Sequence, residues 1–259
     1  MTYDGSTWEQ VPELGNEIPE LPPRRPSLLR RILAGTLLGN ILRRVWSPGE
    51  TTTGTILDNA VARERLAILR AAFDNRVEVL AGRLASGDLS VTVWEVLMRH
   101  EISTLHISAQ VLGAGGWGAV DQAGLDRARE FVTTQYGYLD RWAQALRTLP
   151  EGSISEAQVA VRARMYGGAS SELFSRAYGA SLGLPPMPFY PAQGTICLTN
   201  CGCEWQYVQL PGRGNWDCFW RRSKDDSCDT CIAREAAAAP LRVRDGFVLP
   251  LMGSGLVAR

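Results

Sequence analysis

The cysteines are the residues whose type and spacing most clearly indicate chemistry. All six lie in the last quarter of the 259-residue chain, and Cys197, Cys201 and Cys203 fall within seven residues. Cys228 and Cys231 form a C-x-x-C pair, in which two thiolates across a turn can bind one metal ion, and Zn²⁺ takes four such ligands in a tetrahedron. Two cysteines one residue apart are awkward for joint chelation. The spacing therefore predicts a structural zinc site of Cys197 and either Cys201 or Cys203, together with Cys228 and Cys231.

The sixth cysteine has different surroundings. Cys218 is flanked by Trp216 and by Phe219 and Trp220, so we expect a buried apolar thiol and not a ligand. Disulfides formed after release from the cell, reduced core thiols without metal, and redox catalysis by the C-x-x-C pair remain alternatives. The start of the chain has neither the basic nor the apolar part of a signal peptide, and clustered thiols kept in a reducing cytosol favour a metal.

A catalytic centre would need a general base, and the sequence offers few. Its two histidines, His100 and His106, are six residues apart in one helical pattern, which places them on roughly opposite faces. Walker and H-E-x-x-H motifs are absent from the sequence. The glycine-rich stretch that begins at Gly113 follows a helix and not a strand, so it indicates a helix stop and a turn. We expect the chain not to be an enzyme.

The elements that must position the cysteines are mainly helical. Residues 51–183 carry apolar residues at three- and four-residue steps, which predicts four helices. The first pattern begins at Leu66 and stops at Gly87, and the second begins at Trp94 and stops at Gly113. The third carries Leu125 after a cap at Asp121. In the fourth, a Ser153–Glu156 capping box precedes Met165. Short loops between long helices predict an antiparallel helical bundle.

The character of the sequence changes at residue 184. Four prolines in residues 184–191 cannot continue a helix and predict a stiff connector. Alternating segments at 204–210 and 217–221, separated by a Pro-Gly turn, predict a β-hairpin. The fold class expected is therefore mainly α, an antiparallel helical bundle (51–183) followed by a small cysteine-rich β-hairpin or zinc-ribbon-like module (184–259).

Residues 1–50 differ from both parts. Five carboxylates precede Arg24, and prolines follow, which is typical of an extended arm. Residues 28–46 then predict an Arg-rich amphipathic helix, which its four arginines exclude as a membrane span. Three interpretations remain open: a solvated face of a packed helix, a docking helix for an acidic partner or nucleic acid, and membrane-surface binding.

Several of these motifs together resemble a known family. Thr199-Asn-Cys-Gly-Cys-Glu-Trp, Asp217-Cys-Phe-Trp-Arg-Arg and Cys228-Asp-Thr-Cys-Ile-Ala-Arg are similar to the C-terminal part of tailed-bacteriophage minor head proteins, also called head morphogenesis proteins. An Ala-rich helix with Arg162-Ala-Arg-Met-Tyr, then a proline-bearing link, precedes them in the same way. The resemblance covers roughly residues 55–245.

The resemblance implies a virion protein that is assembled in the host cytoplasm and acts at the portal vertex, in head morphogenesis or DNA packaging. It implies portal and capsid proteins as partners, packaged DNA as a further candidate, several copies at one vertex, and no membrane. It also implies that this chain has no enzyme activity.

A second function class fits the cysteines, namely a zinc-ribbon nucleic-acid-binding regulatory protein. Its weakness is charge, because residues 184–259 carry eight basic and seven acidic residues. A module that binds nucleic acid through its overall charge should be distinctly basic. The balance of 27 basic and 27 acidic residues in the whole chain points the same way.

Overall fold

The computed structural model describes residues 59–150, 153–194, 201–212, 214–223, 227–238 and 240–249. The arm and the Arg-rich helix predicted for residues 1–50 lie outside these ranges, as does Cys197. In the part of the chain that the structure describes, no helix combines the length and the apolar character that a membrane crossing requires.

The chain is mainly helical, as predicted, and ends in a small antiparallel sheet. The helices are α1 (Asn59–Ala85), α2 (Val91–Ala114), α3 (Gln122–Arg147), α4 (Glu156–Met165), α5 (Ala169–Ser181) and, in the cysteine module, α6 (Asp229–Ala237), with a 3₁₀ turn at Trp117–Ala119. The strands are β1 (Glu204–Gln209), β2 (Trp216–Arg221), β3 (Leu241–Arg244) and β4 (Phe247–Val248).

The helix ends follow local capping chemistry. Asp121 caps α3 as predicted, since its carboxylate accepts a hydrogen bond of 2.7 Å from the backbone N–H of Gly124. Ser90 caps α2 in the same way through the N–H of Val93, at 3.3 Å. Gly115 is the C-cap of α2, which confirms that the glycine-rich stretch stops a helix. Each cap satisfies backbone groups that the helix itself leaves unpaired.

The single long helix predicted after Pro150 is wrong, because the structure divides it into α4 and α5. The break falls at Gly167 and Gly168, where a side chain on Gly167 would stand 3.0 Å from the ring of Phe73. The missing side chain lets this corner pack against α1. The N-cap of α4 is Ser155 and not Ser153, whose hydroxyl donates to the carbonyl of Pro150 instead.

Helices α1, α2 and α3 run antiparallel around a shared core. Glu95 of α2 pairs with Arg147 of α3, and Arg99 with Asp140, so contacts that advance along α2 retreat along α3 and the two helices are antiparallel. Between them Trp94 and Trp142 meet edge to face, with ring centroids 4.9 Å apart. Helix α2 is buried over nearly its whole circumference from Ile102 onward, so it is the centre of the bundle.

The predicted hairpin is part of a larger sheet. Strands β1 and β2 pair antiparallel, with Trp205 opposite Trp220 and Tyr207 opposite Cys218. Strand β3 adds to β2, with Cys218 opposite Leu241, and β4 adds to β3, giving the order β1-β2-β3-β4. One face of the sheet and helix α6 enclose a second core that is separate from the core of the bundle.

The proline-rich connector belongs to that second core. Leu184, Met187 and Tyr190 are buried against the sheet. The indole N–H of Trp205 donates to the carbonyl of Phe189 at 2.7 Å. The connector therefore packs as one side of the core of the cysteine module. The prolines predicted a stiff connector but did not indicate this packing.

Candidate metal centre

Three of the predicted ligands come together in the second core. The sulfur atoms of Cys201, Cys203 and Cys231 all lie within 4.8 Å of one another, and all three residues are buried. The sulfurs of Cys201 and Cys231 are 3.8 Å apart, and neither residue is in a disulfide. This cluster could hold a metal ion.

The sulfur spacing fits tetrahedral coordination. With a Zn–S distance of about 2.3 Å, the edge of a sulfur tetrahedron is about 3.8 Å long. The Cys201–Cys231 separation of 3.8 Å equals that edge, and it is far longer than the S–S bond of about 2 Å in a disulfide. The spacing of these two sulfurs is compatible with both binding one ion.

The two halves of the cluster come from different elements. Cys201 and Cys203 lie just before β1, in a segment where buried and exposed residues alternate up to Trp205. Side chains two residues apart in extended chain point to the same side. Gly202, between them, faces Ser223, and a side chain there would meet it at 2.9 Å.

This geometry bears on one expectation. The sequence predicted that one of Cys201 and Cys203 would join the site, and the sulfurs of both lie in the cluster. The reason is the extended backbone, since it aligns the two side chains in parallel and leaves both sulfurs free to face the same point.

The C-x-x-C pair opens helix α6. Cys228 is its N-cap residue, and its carbonyl accepts a hydrogen bond of 2.8 Å from the N–H of Cys231. Cys231 is fully buried in the first turn, whereas Cys228 is half-buried. The thiol of Cys228 is also in hydrogen-bonding contact with that of Cys231. Cys228 thus lies at the border of the three-sulfur group, and Cys197 lies outside the described residues.

The protonation of the cluster follows from its burial. Burial raises the pKa of the Cys231 thiol far above its ordinary value, and the neighbouring thiols of Cys203 and Cys201 raise it further. Without a cation the Cys231 thiol therefore keeps its proton. A bound metal ion reverses this balance, because it requires thiolates and releases their protons on binding. The clustered, buried thiols could therefore bind a metal ion as thiolates.

Cys218 lies apart, as predicted. It is fully buried in the middle of β2, is not a member of the three-sulfur group, and packs within the same core. Burial, followed by the negative charge of Asp217, raises the pKa of its thiol to about 12. Such a thiol is inert at neutral pH.

Aromatic side chains cover the side of the core next to the connector. The rings of Trp205 and Trp220 lie 5.4 Å apart, and Phe189 stacks on Trp205 at 5.0 Å. The guanidinium of Arg234 lies 4.7 Å from the centre of the Phe189 ring and donates to the carbonyl of Gln193 at 2.6 Å. Sequence reasoning missed Phe189 and Arg234. The only signal was that Arg234 follows Cys231 by three residues, about one turn of a helix.

The histidines do not approach the cysteines' cluster. His106 is fully buried in α2, where its Nδ1–H donates to the carbonyl of Ile102 at 2.8 Å. Burial lowers its pKa to about 4, and the hydrogen bond to Ile102 opposes that shift only in part. His100, half-buried, accepts through its carbonyl from Ser103 and Thr104. In the described ranges, the three cysteines are the one group of His, Cys, Asp or Glu with metal-ligand geometry.

Comparison of the chain with protein-family models, with curated proteins and with solved structures gives no match. The functional interpretation therefore depends on the residues and on their geometry.

Proposed function

We propose that this chain is a structural assembly protein of a tailed phage, a minor head protein that acts at the portal vertex. The observation that carries the proposal is the coincidence of two sets of residues. The motifs that resemble minor head proteins contain Cys201, Cys203, Trp205, Cys218, Trp220 and Cys231, and these residues build the core of the module. The motif residues therefore have a structural role in the module, as expected of an assembly protein.

Contacts between the helical bundle and the cysteine module support this structural role. Arg63 of α1 forms an ion pair with Glu204 and donates to the carbonyl of Trp205 at 3.0 Å. Tyr178 of α5 and Tyr207 of β1 meet with ring centroids 6.1 Å apart. A motif residue, Trp205, therefore also takes part in holding the module against the bundle.

Purified phage particles test this function directly. We expect particles purified from infected cells to retain the chain after nuclease and detergent washes. When the heads are disrupted, the chain should remain bound to the portal. A chain that stays free in the lysate while complete particles form would contradict the proposal. A chain that sediments with promoter DNA instead would favour the nucleic-acid-binding regulator.

The predicted Arg-rich helix provides a second test. If residues 24–46 dock on an acidic surface of the portal or on DNA, removal of residues 1–50 leaves a folded bundle that no longer enters particles. Normal incorporation of the shortened chain would favour a solvated basic face. Helical circular dichroism of the shortened chain is the control, because α1 begins only at Asn59.

We further propose that the cluster holds zinc in a structural role, with Cys228 completing the set of Cys201, Cys203 and Cys231. Four thiolates in a tetrahedron are typical of structural zinc and leave no open position for catalysis. Cys228 is favoured over Cys197 because it touches Cys231 and begins the same helix. The positive end of that helix stabilises thiolates in its first turn.

Metal analysis of two matched variants tests this ligand set. Cys228→Ser should lose most of the bound zinc, whereas Cys197→Ser should keep it, since both changes replace one thiol by one hydroxyl. The reverse result would assign the fourth position to Cys197. Iron in place of zinc after purification would contradict the choice of metal, because iron can occupy the same four-sulfur geometry.

A further inference from the structure

The sheet of the cysteine module has a second face that the core does not use. Residues on its inner face, including Trp205, Cys218, Trp220 and Leu241, are buried. The alternate residues form an outer face on which side chains are exposed or half-exposed. From β1 to β4 this outer face carries Glu204, Gln206, Val208, Asp217, Phe219, Arg221, Arg242, Arg244 and Phe247.

The charges on the outer face do not balance. Glu204 is neutralised by Arg63 of the bundle, and Asp217 by Arg244 at 2.8 Å. Arg221 and Arg242 remain, and neither forms an ion pair with a described residue. A further acid, Asp245, lies in the turn between β3 and β4. The face is therefore locally positive although the module as a whole is close to neutral.

A large apolar side chain stands beside these charges. Phe247 is 74% exposed, the highest value among the large apolar residues that the structure describes. It lies opposite Arg244 across a tight turn in which Asp245 and Gly246 have positive φ angles of 51° and 80°. Hydrogen bonds from this turn to Gly214 and Asn215 join it to the β1–β2 turn, so the backbone next to Phe247 is anchored.

A second aromatic ring lies on the same face, on β2, the strand next to the one that carries Arg242. Phe219 of β2 is half-exposed, and the guanidinium of Arg221 lies 5.1 Å from the centre of its ring. Arg221 also donates to the side chain of Gln206 at 2.8 Å, which ties the guanidinium to the neighbouring strand β1. Flat guanidinium and phenyl groups both offer planes on which a base can stack.

We propose that the outer face binds single-stranded nucleic acid, with a base stacked on Phe247 and backbone phosphates at Arg221 and Arg242. Surfaces that bind single strands combine cations that follow the backbone with aromatic rings that stack on bases. A duplex keeps its base faces inside the helix, so it cannot use the phenyl ring. The proposal does not depend on the virion assignment, because it concerns only the sheet and its charges.

Fluorescence anisotropy with the intact, metal-loaded chain and a labelled oligothymidylate tests the proposal. An oligonucleotide of about 15 nucleotides is within the site sizes of such surfaces. Phe247→Ala should weaken binding about tenfold, as loss of one stacking partner does. Phe247→Trp should restore it. The matched control is Tyr138→Ala, which removes an exposed ring on α3 that also has an arginine, Arg141, against it.

The arginines predict a change in salt dependence. Arg242→Gln should reduce the slope of log affinity against log salt by about 0.7, which is the value for one phosphate of a single strand. Arg129→Gln, an exposed arginine on α3, should leave the slope unchanged. Unchanged far-ultraviolet circular dichroism and metal content would show that every variant is folded.

Three results would overturn the proposal. The first is no binding to the single strand at low salt. The second is equal binding to single and double strands, which would mean that the face recognises only charge. The third is binding that survives both Phe247→Ala and Arg242→Gln. If Phe247→Ala instead abolished incorporation into particles without any binding to oligonucleotides, the face would belong to a protein partner.

Discussion

The bundle and the cysteine module bury side chains of different kinds, although they belong to one chain and touch along β1. The bundle core consists of aliphatic and aromatic side chains from α1 to α5, centred on α2. The module core is rich in cysteines and tryptophans, which pack with aliphatic residues and with the connector between a four-stranded sheet and one short helix. The helices pack against sequence neighbours and also across long separations, since α2 contacts α5 and α1 contacts α4. The cysteine cluster joins residues 30 positions apart.

The difference indicates where each part obtains its stability. We expect helices α1 to α5 to bury enough apolar surface to fold on their own. The module is about the size at which small domains often depend on a metal or a disulfide. Its buried thiols contribute little as hydrophobic groups, but a bound metal ion would convert binding free energy into folding free energy. We therefore expect the two parts to respond differently to the same perturbations.

The largest effect should come from Cys231, the most central cysteine. Cys231→Ser should abolish metal binding and remove most of the stabilisation that a structural zinc gives to a small module, about 10 kcal/mol or more in isolated zinc fingers. The module should then become sensitive to proteolysis after residue 194 while the helices resist it. Cys218→Ser is the control and should keep the metal. A protease-resistant module in Cys231→Ser would mean that the sulfurs only pack.

The bundle should respond most strongly at Trp94. Trp94→Ala removes a fully buried indole that meets Trp142 edge to face, so it should lower the free energy of unfolding of the bundle by about 3–5 kcal/mol. Zinc content should not change. Chemical denaturation monitored by far-ultraviolet circular dichroism measures the loss. Release of zinc in a variant whose helices remain folded would show that the two cores are not independent.

Acid should act on the bundle through His106. Its folded-state pKa is about 4, below the 6.5 of an unfolded chain, so the stabilisation is present above pH 6.5 and is lost as pH falls towards 4. At pH 5 this loss amounts to about 2 kcal/mol. His106→Gln should remove that pH dependence, whereas His100→Gln should retain it. Denaturation midpoints at pH 7.5 and pH 5 decide between the two outcomes.

The smallest effect should come from Arg234, which ties the connector to the module. Arg234→Gln removes hydrogen bonds to the carbonyls of Tyr190 and Gln193 and the contact with the Phe189 ring. The expected loss is about 1–2 kcal/mol, because the group is partly exposed. Hydrogen exchange should rise in the connector and not in α1 to α3. Faster exchange throughout the bundle would contradict a local role.

Much of the bundle was predictable because its signals are local. The apolar steps from Leu66 to Leu84 identified α1, and Asp121 identified the start of α3. The break between α4 and α5 was not predictable in this way, since it depends on how Phe73 packs against Gly167. A contact across 94 positions leaves no trace in the periodicity of either segment.

The module was predictable in outline and less so in detail. The β-hairpin and the outlying position of Cys218 followed from alternation and from aromatic neighbours. The membership of both Cys201 and Cys203 depends on how extended backbone aligns side chains in three dimensions. The contributions of Phe189 and Arg234 depend on the return of the connector over the sheet, which spacing alone does not encode.

The central claim is that one part of this chain folds around a metal while the other does not need it. The most direct measurement is zinc content of the protein purified under reducing conditions, followed by addition of a strong chelator. We predict one zinc per chain, loss of the near-ultraviolet signal of Trp205 and Trp220 on chelation, and helical circular dichroism that is largely retained. A metal-free chain with reactive thiols and an unchanged near-ultraviolet spectrum would contradict the account.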